Sequence, residues 1–476
     1  MSRANWWKRK GCVPAAEGSA RAGRKIKSLG ISSVSMDPLD LNGKGFIAGG
    51  AGKFFFPLDK RLEIGTEGYS PKILEKIEYA GANAVSFKQA QQHLKMLAEL
   101  EISGRHATDL TERFGAEREQ KRDREVALMK ADKLEVKVLN KPEVCAVYVD
   151  AGKAQTRQED EGEGPGVRGQ AWADTKVACL VTYQAKEHSE DPQPEVPSKL
   201  MERETVRKIC RQMALIRGKS QEEQKAEAKV ERSGHKEETK SEKVAKPEPL
   251  VRTAVATQQK IEEFGWMVAA EAQKRGFYEA PRKAFVGDGG NWIEPFGELH
   301  FPGWTQVLDF MHGMTHLYGG AAAAYGKDTK EAWELYKRLV VKMWGGEVGS
   351  VIRMLENQVR RIGKPSEDAV PGNPQKIVSL TLDYVKRNAH RMDYPSYRKS
   401  GLPISSAPVE SLIKQFNQRV KGTEKFWQRN RLEAVLQSRA AYLSEDGRDK
   451  RFWAERKSVG RAVGRNRLRS CPSLVS

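Results

Sequence analysis

Six consecutive apolar residues, Val144-Cys145-Ala146-Val147-Tyr148-Val149, are closed by an acid, Asp150. A strand with one wet face alternates apolar and polar residues, so a run without alternation has no side to give to water. The segment predicts a strand buried on both faces, which belongs in an α/β sheet flanked by helices. Lys176–Tyr183, Ala284–Val286 and Thr305–Phe310 read as further strands, and Ile261–Arg275 as an amphipathic helix before the third of them. Residues 316–392 carry helical spacing almost throughout, with Trp333, Leu339, Met343, Trp344, Val351 and Leu355 at core positions.

Two of these strands are followed by acids set among small residues. Asp150 precedes Ala151-Gly152-Lys153, and Asp288 lies within Gly287-Asp288-Gly289-Gly290, where a backbone or a phosphate can approach closely. A third acid, Glu410, follows Pro408 at the start of an amphipathic helix, near the positive end of the helix dipole. Three carboxylates so placed can hold two Mg²⁺ ions, with Mn²⁺ as a substitute, and clamp the attacking and leaving oxygens of a phosphodiester. Lys414 and Asn417 fall one and two turns beyond Glu410, positioned to meet a phosphate. Asp309 and His312 lie just after the fourth strand. A zinc-protease reading of His312 with His316 fails, because Gly313 stands where the motif needs Glu. Taken alone, His312 reads as a hydrogen-bonded core histidine.

The polyanion that suits this chemistry is nucleic acid. Lys+Arg number 82 against 63 Asp+Glu, for a net charge of +19. Lys421 and Lys425 extend a basic track past Glu410, and Arg448 and Arg451 open a basic tail reaching Arg469. Five scattered cysteines, never paired as C-x-x-C, argue against a disulfide framework or a structural zinc. With no stretch apolar enough to span a bilayer, the expectation is a cytoplasmic, DNA-associated protein with no membrane partner.

The first 56 residues read as a basic flexible arm. Within it, Gly49-Gly50-Ala51-Gly52-Lys53 is no phosphate loop, since Phe54 occupies the Ser/Thr position. Residues 57–135 read as helical. A helix over Ser86–Leu97 capped by Ser86, a turn at Ile102-Ser103-Gly104 and a helix over His106–Phe114 fit a helix-turn-helix, and equally a plain αα-hairpin. Residues 218–248, rich in Lys, Glu and Ser, read as a charged low-complexity insertion.

Several segments occur in a telling order: VYVDAGK (147–153), EFGWMVAAEA (263–272), FVGDGGNWI (285–293), HFPGWTQVLDFMH (300–312), RMDYPSYRKSGLPISSAPVES (391–411) and KGTEKFW (421–427). Together they resemble the DDE-type insertion-sequence transposases of the Kra group, from about Phe56 to about Arg451. The resemblance implies a ribonuclease H-like mixed sheet with flanking helices, its first part at 140–315 and its Glu410 helix at 401–445. An all-α insertion at 316–400 would interrupt that core, and 446–476 would be the basic tail. It makes Asp150, Asp288 and Glu410 the catalytic and metal-binding triad, and Asp309 with His312 the D-x-x-H signature. The implied activity is cleavage of element ends and joining of 3′-hydroxyls to target DNA, by a homo-oligomer on DNA. A structure-selective nuclease and a silent DNA-binding descendant are the alternatives. Unlike many relatives, this chain has no cysteine-paired knuckle between Gly43 and Lys53.

Overall fold

The computed structural model describes residues 46–48, 53–55, 64, 68–138, 141–157, 170–216, 246–370, 372–422 and 425–455. The chain divides into two compact units, one of residues 1–111 with 447–476 and one of 112–446.

In the first unit, β1 (Phe46–Ala48) pairs antiparallel with β2 (Lys53–Phe55), placing Phe46 opposite Phe55 and Ile47 opposite Phe54. This backbone pairing makes a short hairpin where the sequence reading expected only a flexible arm. Two helices follow, α1 (Pro71–Asn83) and α2 (Phe87–Ala98). The α2 cap is as expected: the Ser86 hydroxyl accepts from the Gln89 amide. The next helix, α3 (Gly104–Lys130), begins in the first unit, belongs to the second from Glu112 onward, and is far longer than the His106–Phe114 expected. Its later turns are highly charged and show little apolar periodicity, but ion pairs such as Arg113–Glu117 support them at helical spacing.

The second unit is built on a five-stranded mixed sheet. Its strands are β3 (Val144–Arg157), β4 (Gln170–Gln184), β5 (Glu248–Thr257), β6 (Arg282–Gly287) and β7 (Thr305–Leu308), in the order β5-β4-β3-β6-β7. β3 runs antiparallel to β4 and parallel to β6, and β6 runs parallel to β7. All six residues of the apolar run are buried. Val144, Ala146 and Tyr148 enter one core; Cys145, Val147 and Val149 enter a second on the opposite face. β3 does not stop at Asp150: antiparallel pairing to β4 carries it seven residues further. The fourth strand ends at Leu308 instead of Phe310, because Asp309 caps the helix that starts there.

The second face is covered by α5 (Ile261–Lys274) and α6 (Ile293–His300). Before them in the chain lies α4 (Arg203–Ile216). The first face meets the helical region: α7 (Phe310–Tyr325), α8 (Lys330–Trp344), α9 (Val348–Ile362), α10 (Pro374–Asn388) and α11 (Tyr394–Lys399). This run begins at Phe310, six residues before the expected start. Leu339, Met343, Val351 and Leu355 are buried core positions, as their spacing predicted. Trp344 is buried too: its indole donates to the Gln193 carbonyl at 2.9 Å and meets Phe310 edge-on at 4.9 Å. Trp333 is half-buried, stacked on Tyr336. α12 (Ala407–Val420) and α13 (Arg429–Leu443) pack on the first face, and the short α14 (Arg448–Glu455) belongs to the first unit. The charged stretch expected as an insertion lies outside the described residues except at 246–248, where β5 begins.

Candidate metal centre

Strand register gathers the acids. Tyr148 pairs with Val286 across the parallel β3–β6 ladder, so Asp150 and Asp288 each stand two residues past the same rung. Gly287 pairs with Leu308 across β6–β7, so Asp288 and Asp309 each stand one residue past theirs. Three acids thus project from three successive strands of the sheet, spaced roughly 4.8 Å from one strand to the next, at one of its ends. Alternation sends them to the face of Tyr148, Val286 and Val307, which α12 also covers, and there its first turn presents Glu410.

The carboxylates feel one another. Asp150, half-buried, accepts from the Ala151 amide at 2.6 Å. Burial and then the charge of Asp288 push its carboxyl up to about 7, with Glu410 acting in the same direction and His312 against it. Asp288 Oδ1 accepts from the Gly290 amide at 2.9 Å. The loop bearing it is braced from α10, where the Tyr384 hydroxyl donates to the Asp288 carbonyl at 2.8 Å and Arg387 to the Gly289 carbonyl at 3.3 Å. Gly289 has φ +78°, and a Cβ there would lie 2.7 Å from Leu308 Cδ1, so the turn requires glycine.

Asp309 is fully buried at the start of α7. Its Oδ1 accepts from the Ser406 amide at 2.8 Å; its Oδ2 accepts from the His312 amide at 2.8 Å and lies 2.5 Å from His312 Nδ1. Burial opposes its charge, but these bonds and the charge of His312 outweigh it and hold the carboxyl below the usual range. An ionised Asp309 makes Nδ1 the donor, so a cation held by His312 would be met through Nε2. Ser406 completes the link, its hydroxyl donating to Glu410 Oε1 at 2.9 Å. One ligand atom from each of Asp309, His312 and Glu410 lies within 4.8 Å of the others, so the group can hold a metal ion. Asp309 and His312, expected as accessories, therefore stand inside the candidate centre. With both Asp309 oxygens engaged in hydrogen bonds, its part is to aim the imidazole.

The basic residues behave differently from one another. Lys414 is exposed one turn past Glu410. Asn417 faces β3, its Oδ1 3.9 Å from where a Cβ on Gly152 would sit. Lys421 places its ammonium 5.8 Å from the Trp172 ring centre. Lys425 does not face outward as a phosphate contact: it donates to the carbonyls of Gln418 and Arg419 at 3.2 and 3.0 Å, capping the end of α12. Burial, and then Arg419, lower its pKa. Arg448 and Arg451 sit on α14 in the other unit, and the basic tail beyond Glu455 lies outside the described residues. Ser406, Tyr384 and Arg387 were not foreseen. Only Ser406 carried a signal, a serine one turn before the acid.

Among the described residues no helix is long and apolar enough to cross a membrane. Set against known proteins, the chain matches no family model and no curated sequence.

Proposed function

We propose that this chain is a DNA transposase of an insertion sequence, working by two-metal phosphodiester chemistry on a ribonuclease H-like core. The observation that carries the reading is the register that sets Asp150 and Asp288 side by side, where burial first, then the charge of Asp288 and more weakly that of Glu410, raise the Asp150 pKa. The order of five strands, two antiparallel and two parallel pairings, and the helical run between Asp309 and Glu410 are compatible with it. Its wider resemblance to Kra-group transposases supports the DNA substrate.

In this reading Asp150, Asp288 and Glu410 bind divalent cations, Mg²⁺ or Mn²⁺, and the His312 ring adds a nitrogen donor steadied by Asp309. When bound, such ions activate the attacking oxygen and neutralise the leaving one. Tyr384 and Arg387 keep the Asp288 loop from moving as charge gathers there. The helices of residues 71–130 and the basic tail would hold the element's ends, and two copies would handle two ends together.

The test is a strand-cleavage and joining assay on DNA carrying the element's own ends. Asp288→Asn should reduce cleavage by at least about a thousand-fold, the equivalent of several kcal/mol of charge stabilisation, while DNA binding persists. Normal cleavage by that variant would overturn the reading. Cutting without joining by the wild-type protein would move it to a nuclease.

A further inference from the structure

Beyond the site, β3 and β4 leave the rest of the sheet. β6 pairs with β3 only as far as Tyr148, and β5 pairs with β4 only from Lys176 onward. Residues 151–157 and 170–175 therefore project as a two-stranded ribbon. One of its sides is covered: Ala154 and Thr156 are buried, and Ile413 of α12 packs over Gly152. Along the edge of β3, the Trp427 backbone bonds to Gln155 and Arg157.

The opposite side is open. The cross-strand pairs Lys153–Asp174 and Gln155–Trp172 share it, with Arg157 next along β3. Trp172 is 50% exposed, and no other tryptophan among the described residues is as open. Lys421 overhangs its ring, Arg157 lies diagonally beside it, and Lys153 is exposed on the same side, with Asp174 as the one acid among the described residues of this ribbon face. A flat aromatic ring ringed by cations is the chemistry that binds unpaired nucleotides: the base stacks on the ring while the cations meet the phosphates.

We propose that this open ribbon face is a docking site for a single-stranded segment of DNA, with a base stacked on Trp172 and phosphates against Lys421, Arg157 and Lys153. The proposal rests on the DNA reading above and adds a place where a strand is held. The ribbon is continuous with the strand bearing Asp150, and five residues of extension put Trp172 roughly 17 Å from that acid. This is about five base steps of stacked DNA. The site therefore suits a strand end or unpaired flank lying beside the cleavage point. An uncharged protein partner would gain nothing from the three cations.

The test uses the full chain, with fluorescence anisotropy of a labelled oligothymidylate and of a blunt duplex across a salt series. Trp172→Ala should weaken oligothymidylate binding about ten-fold or more, leave the blunt duplex nearly unchanged, and Trp172→Phe should restore most of the loss. Lys421→Gln should lower the salt slope on the single strand by about 0.7. If Trp172→Ala binds oligothymidylate like the wild type, the docking site is wrong and the DNA reading stands. If both probes weaken equally together with the melting temperature, the tryptophan only stiffens the ribbon and the proposal also fails. A wild-type protein that binds neither probe overturns the DNA reading itself.

Discussion

Two buried acidic regions of the second unit are built on opposite rules. Beside β5, two strands across the sheet from Asp150, Glu433 is surrounded by donors: Arg122 at 2.6 Å, the Thr257 hydroxyl at 2.8 Å, the Gln437 amide at 3.0 Å and the Gln258 backbone at 2.9 Å. At the sheet end, acids face acids, and burial together with these like charges leaves an Asp150 that holds its proton to about 7. A buried carboxylate with matched donors fastens α3, α13 and β5 together. A cluster of like charges fastens nothing by itself, and is stable only when a proton or a cation completes it. Removing charge should therefore damage the first region and relieve the second.

The largest effect is expected at the paired acid. Glu433→Ala leaves Arg122 buried without its central partner and strips an acceptor from three further groups, so unfolding in denaturant should become easier by about 3–5 kcal/mol. Asp288→Asn, measured beside it without metal, should cost little or nothing in stability. A Glu433→Ala loss under about 1 kcal/mol would erase the contrast, because it would make the network a surface decoration.

A smaller effect, with a definite sign, belongs to Asp150. Its folded pKa is raised from 3.8 to about 7, so between those values the folded chain binds more protons than the unfolded one. Stability then falls as pH rises through this window, the reverse of an ordinary salt-bridged carboxylate. Without divalent ions, the wild-type melting temperature should drop relative to Asp150→Asn as pH climbs from 4 to 7. Millimolar Mg²⁺ or Mn²⁺ should recover it at neutral pH, since a cation replaces the lost proton. Parallel curves for the two proteins would show that burial and the neighbouring acids do not raise the Asp150 carboxyl.

How much of this was legible follows from what local pattern encodes. The run Val144–Val149 announced its strand because burial on both faces leaves only one kind of sequence. β5 was silent: it opens on Glu248 and Pro249, keeps Leu250 exposed, and lies at the sheet edge where proline is tolerated. The acids Asp150, Asp288 and Glu410 could be picked out by their glycine and proline settings. The partnership of Asp309 and His312 with Glu410 depends on the β6–β7 register and on Ser406, neither of which local spacing specifies. Lys425 shows the same limit, for a count of cations does not separate a helix cap from a phosphate contact.

Ser406 supplies the finest probe of the contrast, because it belongs to the like-charge region and yet acts as a donor. It begins α12, but its hydroxyl makes no bond to the helix backbone; it donates to Glu410 instead, while its amide holds Asp309. Ser406→Ala keeps the amide and deletes only the hydroxyl. Its stability cost should be about 1 kcal/mol, the net worth of one hydrogen bond. The effect on metal should be larger in proportion: loss of a bond that orients a ligand weakens cation affinity by about ten-fold. Titrating Mn²⁺ against melting temperature reads both quantities on one sample, and Ser406→Thr, which retains the hydroxyl, should return affinity toward the wild type. If Ser406→Ala loses stability and keeps its metal affinity, the serine serves the fold alone and Glu410 needs no help in facing the cation.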